Sequence, residues 1–181
     1  MLAALILLAI PLPWLISVLA AASFHELCHI IALKVVGSPV TNFQIRIGGA
    51  ILETTPLPYK KAILCILAGP LGSFLLACGY RLFPRIAFCS AIHGIFNLLP
   101  IFPLDGGRAL GCITQARLSK TKADFLCRWI ERLFLGGILM GVMILYYFRI
   151  LGILPVILSG ILLIRGFLRK IPCKERLLGV Q

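Results

Sequence analysis

The sequence predicts an all-α multi-pass membrane protein, and three observations predict it. Of 181 residues, 60% are apolar even without the 17 glycines, whereas a soluble domain reaches about 45–50% with glycine included. Only 18 basic and 6 acidic residues are present, and they cluster between long apolar stretches. Those stretches are of the length that crosses a hydrocarbon core of about 30 Å. This pattern excludes a disordered chain, a coiled coil and an ordinary soluble enzyme. The net charge of +12 raises the question of nucleic acid. The lysines and arginines flank apolar runs instead of lining a wet face, so they read as a positive-inside bias and no nucleic-acid partner is expected. The cysteines number seven. Cys28, Cys65, Cys78 and Cys89 lie within apolar runs at no metal or disulfide spacing, and read as small buried residues.

About five transmembrane helices are expected. The first charge is Glu26, so the preceding residues make a helix of about 37 Å, enough to span. The small run Ala20-Ala21-Ala22-Ser23 resembles a signal-peptide cleavage site. There is no basic n-region, however, and cleavage would leave His25 and Glu26 at a bare terminus, so a retained span is expected. Pro11 and Pro13 mark a bend or the start of that helix. Ala62 to Tyr80 gives a second span. Ile86 to Asp105, interrupted by His93 and Asn97, gives a third. Leu133 to Phe148 and Ile150 to Ile164, divided by Arg149, read as a tight hairpin of two short spans, because Gly152 and Pro155 disfavour one long helix.

Between the first two spans, Phe43, Ile45 and Ile47 alternate with Asn42, Gln44 and Arg46, a strand period. Gly48-Gly49 suits a turn and Ala50 to Thr54 a return strand, hence a small β-hairpin. Arg108 to Arg132 reads as a basic helical segment on the membrane surface. The expected organisation is a three-span core over 1–110 with the hairpin loop at about 37–61. A basic surface segment follows over 111–132, then two further spans over 133–164 and a basic tail over 165–181. With five spans, 15 of the 18 basic residues fall on one side, against Arg81, Arg85 and Arg149 on the other. That split predicts a cytosolic hairpin and C-terminus, with the N-terminus outside.

The chemistry is concentrated in His25-Glu26-Leu27-Cys28-His29. Residues four apart share a helix face, so both imidazoles can reach one metal ion with Glu26 beside them. Such a set suits zinc, with the glutamate placed to take a proton from water. The bland alternative is a polar contact between helices. Ionisable residues clustered inside a membrane helix are expensive, which favours function. A third ligand is required. Glu53, Asp124, Glu131 and Glu175 lie in predicted loops or surface segments, while Asp105 closes an apolar run. His29 lies five residues before Lys34 and Asp105 three before Arg108, which puts both at a similar depth near one basic face.

Pro100 and Pro103 break the helix ahead of Asp105, and broken backbone at membrane depth requires protein or a wet cavity around it. Asn97, two turns before Asp105, can hydrogen-bond a substrate backbone or a developing oxyanion, or alternatively a neighbouring helix. His93 reads as structural or as part of a water network.

The H-E-x-x-H helix followed by Asn97-Leu98-Leu99-Pro100-Ile101-Phe102-Pro103-Leu104-Asp105-Gly106-Gly107 resembles the site-2 protease family of intramembrane zinc metalloproteases, over about residues 10–110. The resemblance implies zinc held by His25, His29 and Asp105, Glu26 as catalytic base, and Asn97 at the substrate. It also implies cleavage of transmembrane segments near the cytosolic face. Ala68-Gly69-Pro70-Leu71-Gly72-Ser73 resembles the family's second-span motif, although many members carry asparagine where Ser73 stands. The short Arg81–Arg85 loop leaves no room for the inserted peptide-binding domains of some relatives. Size and the two extra spans look most like the bacterial branch that processes a membrane-tethered sporulation sigma factor.

The expected function is therefore an intramembrane zinc endopeptidase of a bacterial cell membrane, acting on transmembrane or tethered proteins, with release of a transcription factor as one outcome. Two other classes compete: a non-catalytic membrane protein that binds tethered segments, and a metal- or proton-linked transporter. The second lacks a matching polar set in two pseudo-symmetric halves. The hairpin, through Phe43, Ile45 and Ile47, is expected to hold unwound substrate by strand addition, with a surface plug as the alternative. Lipid is an expected partner. The substrate and the oligomeric state are not legible, though Gly137 and Gly141 have a helix-packing spacing.

Overall fold

The computed structural model describes residues 11–37, 40–46, 49–54, 57–150 and 153–168. In order these form α1 (Leu12–Val36), β1 (Val40–Arg46), β2 (Gly49–Thr54), α2 (Tyr59–Ala77), α3 (Pro84–Asn97), α4 (Asp105–Arg117), α5 (Lys120–Tyr147) and α6 (Ile153–Leu168). The chain divides after Leu98 into two compact units.

In the first unit α1, α2 and α3 pack pairwise against one another. Helix α1 starts with Pro13 in its first turn, where a missing N–H costs no helical hydrogen bond. It stops at Gly37, whose φ of 75° lets its N–H turn back to the Leu33 and Lys34 carbonyls. Its buried face is Ser17, Ala21, His25, His29 and Leu33, a strict four-residue stripe. Leu12, Ile16, Leu19, Ile31 and Val35 are exposed, as suits a helix whose outer surface meets hydrocarbon. Strands β1 and β2 pair antiparallel, with Phe43 opposite Leu52 and Ile45 opposite Ala50. Ile47 and Gly48, assigned above to the strand end and the turn, lie outside the described residues.

In the second unit α4 packs on α5 and α5 on α6. Helix α5 closes on Arg149, a left-handed residue at φ 56°. The Ile150 N–H reaches back to the Leu145 carbonyl at 3.0 Å, which satisfies a carbonyl that the helix end would orphan. The expected turn at Arg149 is thus a helix cap, with α6 beginning at Ile153.

Three helices, α1, α2 and α5, are long and apolar enough to cross a membrane by length and composition, and the chain is a membrane protein. The third apolar run is helical only in α3, which ends at Asn97 after 14 residues, about 21 Å; Pro100 and Pro103, expected to break the helix ahead of Asp105, supply no N–H to carry it onward. One expectation needs correcting: the basic segment over 111–132 is not a separate surface helix. It splits at Leu118-Ser119, and everything from Lys120 belongs to one 28-residue helix. No glycine or proline interrupts Lys120 to Leu135, and Ala123, Cys127, Glu131 and Leu135 form one buried stripe across the expected boundary at 132. Helix α6 likewise runs four residues into the expected tail, ending at Leu168; residues 169–181 lie outside the described residues.

Candidate metal centre

The stripe on α1 faces a matching stripe on α2, where Cys65, Gly69 and Ser73 are buried at the same spacing. The two run antiparallel, so the late residue of one meets the early residue of the other. His29 Nδ1 lies 2.8 Å from the Cys65 carbonyl oxygen. His25 Nδ1 lies 2.8 Å from Ser73 Oγ. Between these two bonds stands Gly69. A Cβ there would overlap His29 Nε2 and would come within 2.6 Å of His25 Nε2. Helix α2 therefore meets the imidazoles with bare backbone, and only glycine permits it. Gly72 plays the same part for Cys28, whose Sγ occupies the place of a Cβ.

The bonds fix what each ring can do. A carbonyl oxygen only accepts, so His29 Nδ1 carries the proton and its Nε2 keeps a lone pair. Ser73 Oγ can accept or donate; where it accepts from His25 Nδ1, the second ring is in the same state. The two Nε2 atoms are 3.2 Å apart. Two nitrogens bound tetrahedrally to zinc at 2.0–2.1 Å stand about 3.3 Å apart. With both Nε2 atoms unprotonated, two lone pairs facing each other at that separation repel unless a cation lies between them. The two donors, their separation and the gap kept by Gly69 all fit zinc.

His93, on α3, packs its ring edge-on against His25, with centroids 4.7 Å apart and an interplanar angle of 87°. Ser90, one turn earlier, donates from Oγ to the Ser73 carbonyl at 2.9 Å. Glu26 follows His25 on α1 and is half-buried. Asn97 is the last residue of α3, where Nδ2 donates to the His93 carbonyl at 3.1 Å, a bond within its own helix. Phe43 and Ile45 belong to β1.

In the second unit, Asp105 is the first residue of α4 and is buried, where the helix dipole favours a negative charge. The segment before it folds back over the first turn of α4. A Cβ on Gly107 would come within 2.6–2.7 Å of the Ile101 carbonyl atoms, which explains the second glycine of Asp105-Gly106-Gly107.

Sequence reasoning identified the histidines but passed over Ser90, the Cys65 carbonyl and the steric role of Gly69. A signal existed for the last. Cys65, Gly69 and Ser73 repeat every four residues, the period that matches an opposing four-residue stripe on another helix.

The chain is also similar to known proteins. The profile of peptidase family M50 matches residues 80–141. The chain is 26% identical over 149 residues to the zinc metalloprotease MJ0392 of Methanocaldococcus jannaschii, covering 75% of this chain and 42% of that protein. The chain thus spans about two fifths of the length of this curated relative. The solved site-2 protease from Methanocaldococcus jannaschii superposes with a TM-score of 0.61 at 20% identity, over 88% of this chain and 79% of that one, and so shares the fold. Zinc is the cofactor that these relatives imply. Two histidines held by a second helix and a membrane fold thus stand beside a similarity to peptidase family M50 over residues 80–141 and the fold of a site-2 protease.

Proposed function

We propose that this chain is an intramembrane zinc endopeptidase that cleaves transmembrane or membrane-tethered proteins near the cytosolic face. The observation that carries the reading is the His25–His29 pair, with both Nδ1 atoms tied and both Nε2 atoms turned to a common point 3.2 Å apart. In this reading His25, His29 and Asp105 hold the metal. Zinc supplies Lewis-acid chemistry, polarising the scissile carbonyl and lowering the pKa of water.

The chain's own groups do the rest. Glu26 accepts the proton of the attacking water and returns it to the leaving amine. Asn97 spends one N–H on the His93 carbonyl; its amide has a second N–H and an oxygen, and these hold substrate backbone or the oxyanion. A substrate helix must unwind before it is cut, because its peptide bonds are shielded by their own hydrogen bonds. The exposed backbone then adds to an edge of the β1–β2 ladder, around Phe43, Ile45 and Ile47. Product release would free a tethered domain, such as a transcription factor, into the cytosol of a bacterial cell. The charge split of the sequence supports an outside N-terminus and a cytosolic C-terminus.

Co-expression with single-span substrate candidates tests the reaction. Cleavage that disappears in Glu26→Gln is expected, and cleavage that persists at the parent rate would remove the assignment. A proline scan over residues 43–52 tests the ladder, since proline deletes one edge donor. Loss of cleavage with zinc retained is expected at Ile45 or Ile47; unchanged cleavage throughout would exclude strand addition.

A further inference from the structure

We propose that Ser73 is a positioning residue that sets how tightly His25 holds zinc, with Ser90 as its support. The proposal rests on the metal reading above. The two imidazoles are oriented by different means. His29 is oriented by a main-chain carbonyl, which α2 presents whatever side chain stands at position 65. His25 is oriented by a side-chain hydroxyl, which a substitution can remove.

Ser73 is the point at which three helices meet. Its hydroxyl faces His25 on α1 at 2.8 Å, and its carbonyl receives the Ser90 hydroxyl of α3 at 2.9 Å. Neither serine is exposed at all. On the other side of Ser73, a Cβ on Gly94 would come within 3.0 Å of Ser73 Cβ, so α3 approaches the serine with bare backbone. Ser90 and Gly94 are one turn apart, and together they seat α3 against Ser73.

The physical consequence concerns the other ring nitrogen. An acceptor at Nδ1 fixes the tautomer that leaves Nε2 free, raises its basicity and stops the ring from rotating. Without it His25 would still be a ligand, but it would have to be ordered at the expense of binding.

The test uses the full-length protein in detergent, with zinc affinity measured by competition against a chromophoric chelator. Cobalt loading provides a visible absorption spectrum of the site as a second readout. Ser73→Ala should still bind one metal per chain at saturation, with affinity lowered about 10–100-fold and the cobalt bands shifted. Ser73→Cys keeps the shape but offers a weak hydrogen-bonding sulfur, so it should fall with the alanine variant. If Ser73 only fills space, the cysteine variant binds zinc like the parent, and that result overturns the proposal. Parent-like affinity and spectrum in Ser73→Ala would overturn it equally. Ser90→Ala should lower affinity about fivefold, the equivalent of one neutral hydrogen bond. His29→Ala separates this proposal from the reading beneath it. Zinc retained there removes the metal site altogether, whereas zinc lost there with Ser73 variants unaffected removes only the role of Ser73.

Discussion

Helices α1 and α5 are built to the same plan and serve different ends. Each is long, apolar on its outer surface and buried along a single four-residue stripe. On α1 the stripe reads Ser17, Ala21, His25, His29, Leu33; on α5 it reads Ala123, Cys127, Glu131, Leu135. Both therefore place ionisable groups in the interior. The difference lies in what meets them. The α1 stripe faces a hydrogen-bond partner for each imidazole and a glycine that leaves room between them. On α5, Cys127 lies 3.3 Å from the Thr114 hydroxyl of α4, a contact that closes a packed interface. A polar stripe becomes a site when the opposing helix withholds side chains.

The largest effect should come from filling that space. Gly69→Ala puts a methyl group on both Nε2 atoms, so zinc per chain, measured by elemental analysis, should fall from one to none. Cys127→Ala removes an atom from the equivalent stripe on α5 and should leave zinc content unchanged. Full zinc occupancy in folded Gly69→Ala would break the comparison, because the gap would then have no purpose.

The glutamates of the two helices, Glu26 half-buried and Glu131 buried, sharpen it next. Glu26→Gln keeps size and ligands but removes the proton acceptor. Cleavage should drop by about 10²–10⁴-fold with zinc retained. Glu131→Gln alters a carboxyl that has no part in the proposed chemistry, and cleavage should stay within a fewfold of the parent. The comparison fails if Glu131→Gln stops cleavage while the protein remains folded and loaded with zinc.

Part of this was legible in the sequence for a physical reason. His25 and His29 are four residues apart in an apolar run, and helix geometry alone puts them on one face. The start of α1 near Pro13 and the break before Asp105 follow from the missing N–H of proline. The helix partners were harder to read. Nothing local says that Cys65 contributes its carbonyl, since every residue has one. The registry of α2 on α1 determines which carbonyl is used, and registry is a tertiary property. The division at residue 132 misled for a related reason. A charge cluster reads as the end of an element, yet lysine and arginine are good helix formers, and α5 passes through them without interruption.

The smallest effect belongs to the glycines of α5, and it completes the contrast with Gly69. Gly137 and Gly141 have the spacing that often lets two helices approach closely. A Cβ on either would meet nothing within 4 Å among the described residues. A glycine inside a helix costs about 0.5–1 kcal/mol relative to alanine, through the freedom its backbone loses on folding. If the space at Gly137 is open, Gly137→Ala should stabilise the protein by up to that amount. For a chain of this size the midpoint of thermal unfolding then rises by about 2–4 °C, with zinc content unchanged. If a second copy packs its own helix on this face, the methyl group forces the two apart. The midpoint then falls, and cross-linking of the parent between copies disappears in the variant. A rise makes Gly137 a replaceable surface glycine beside the irreplaceable one at position 69. A fall means that α5 also withholds side chains for a partner, and the contrast between the helices would reduce to which partner each one meets.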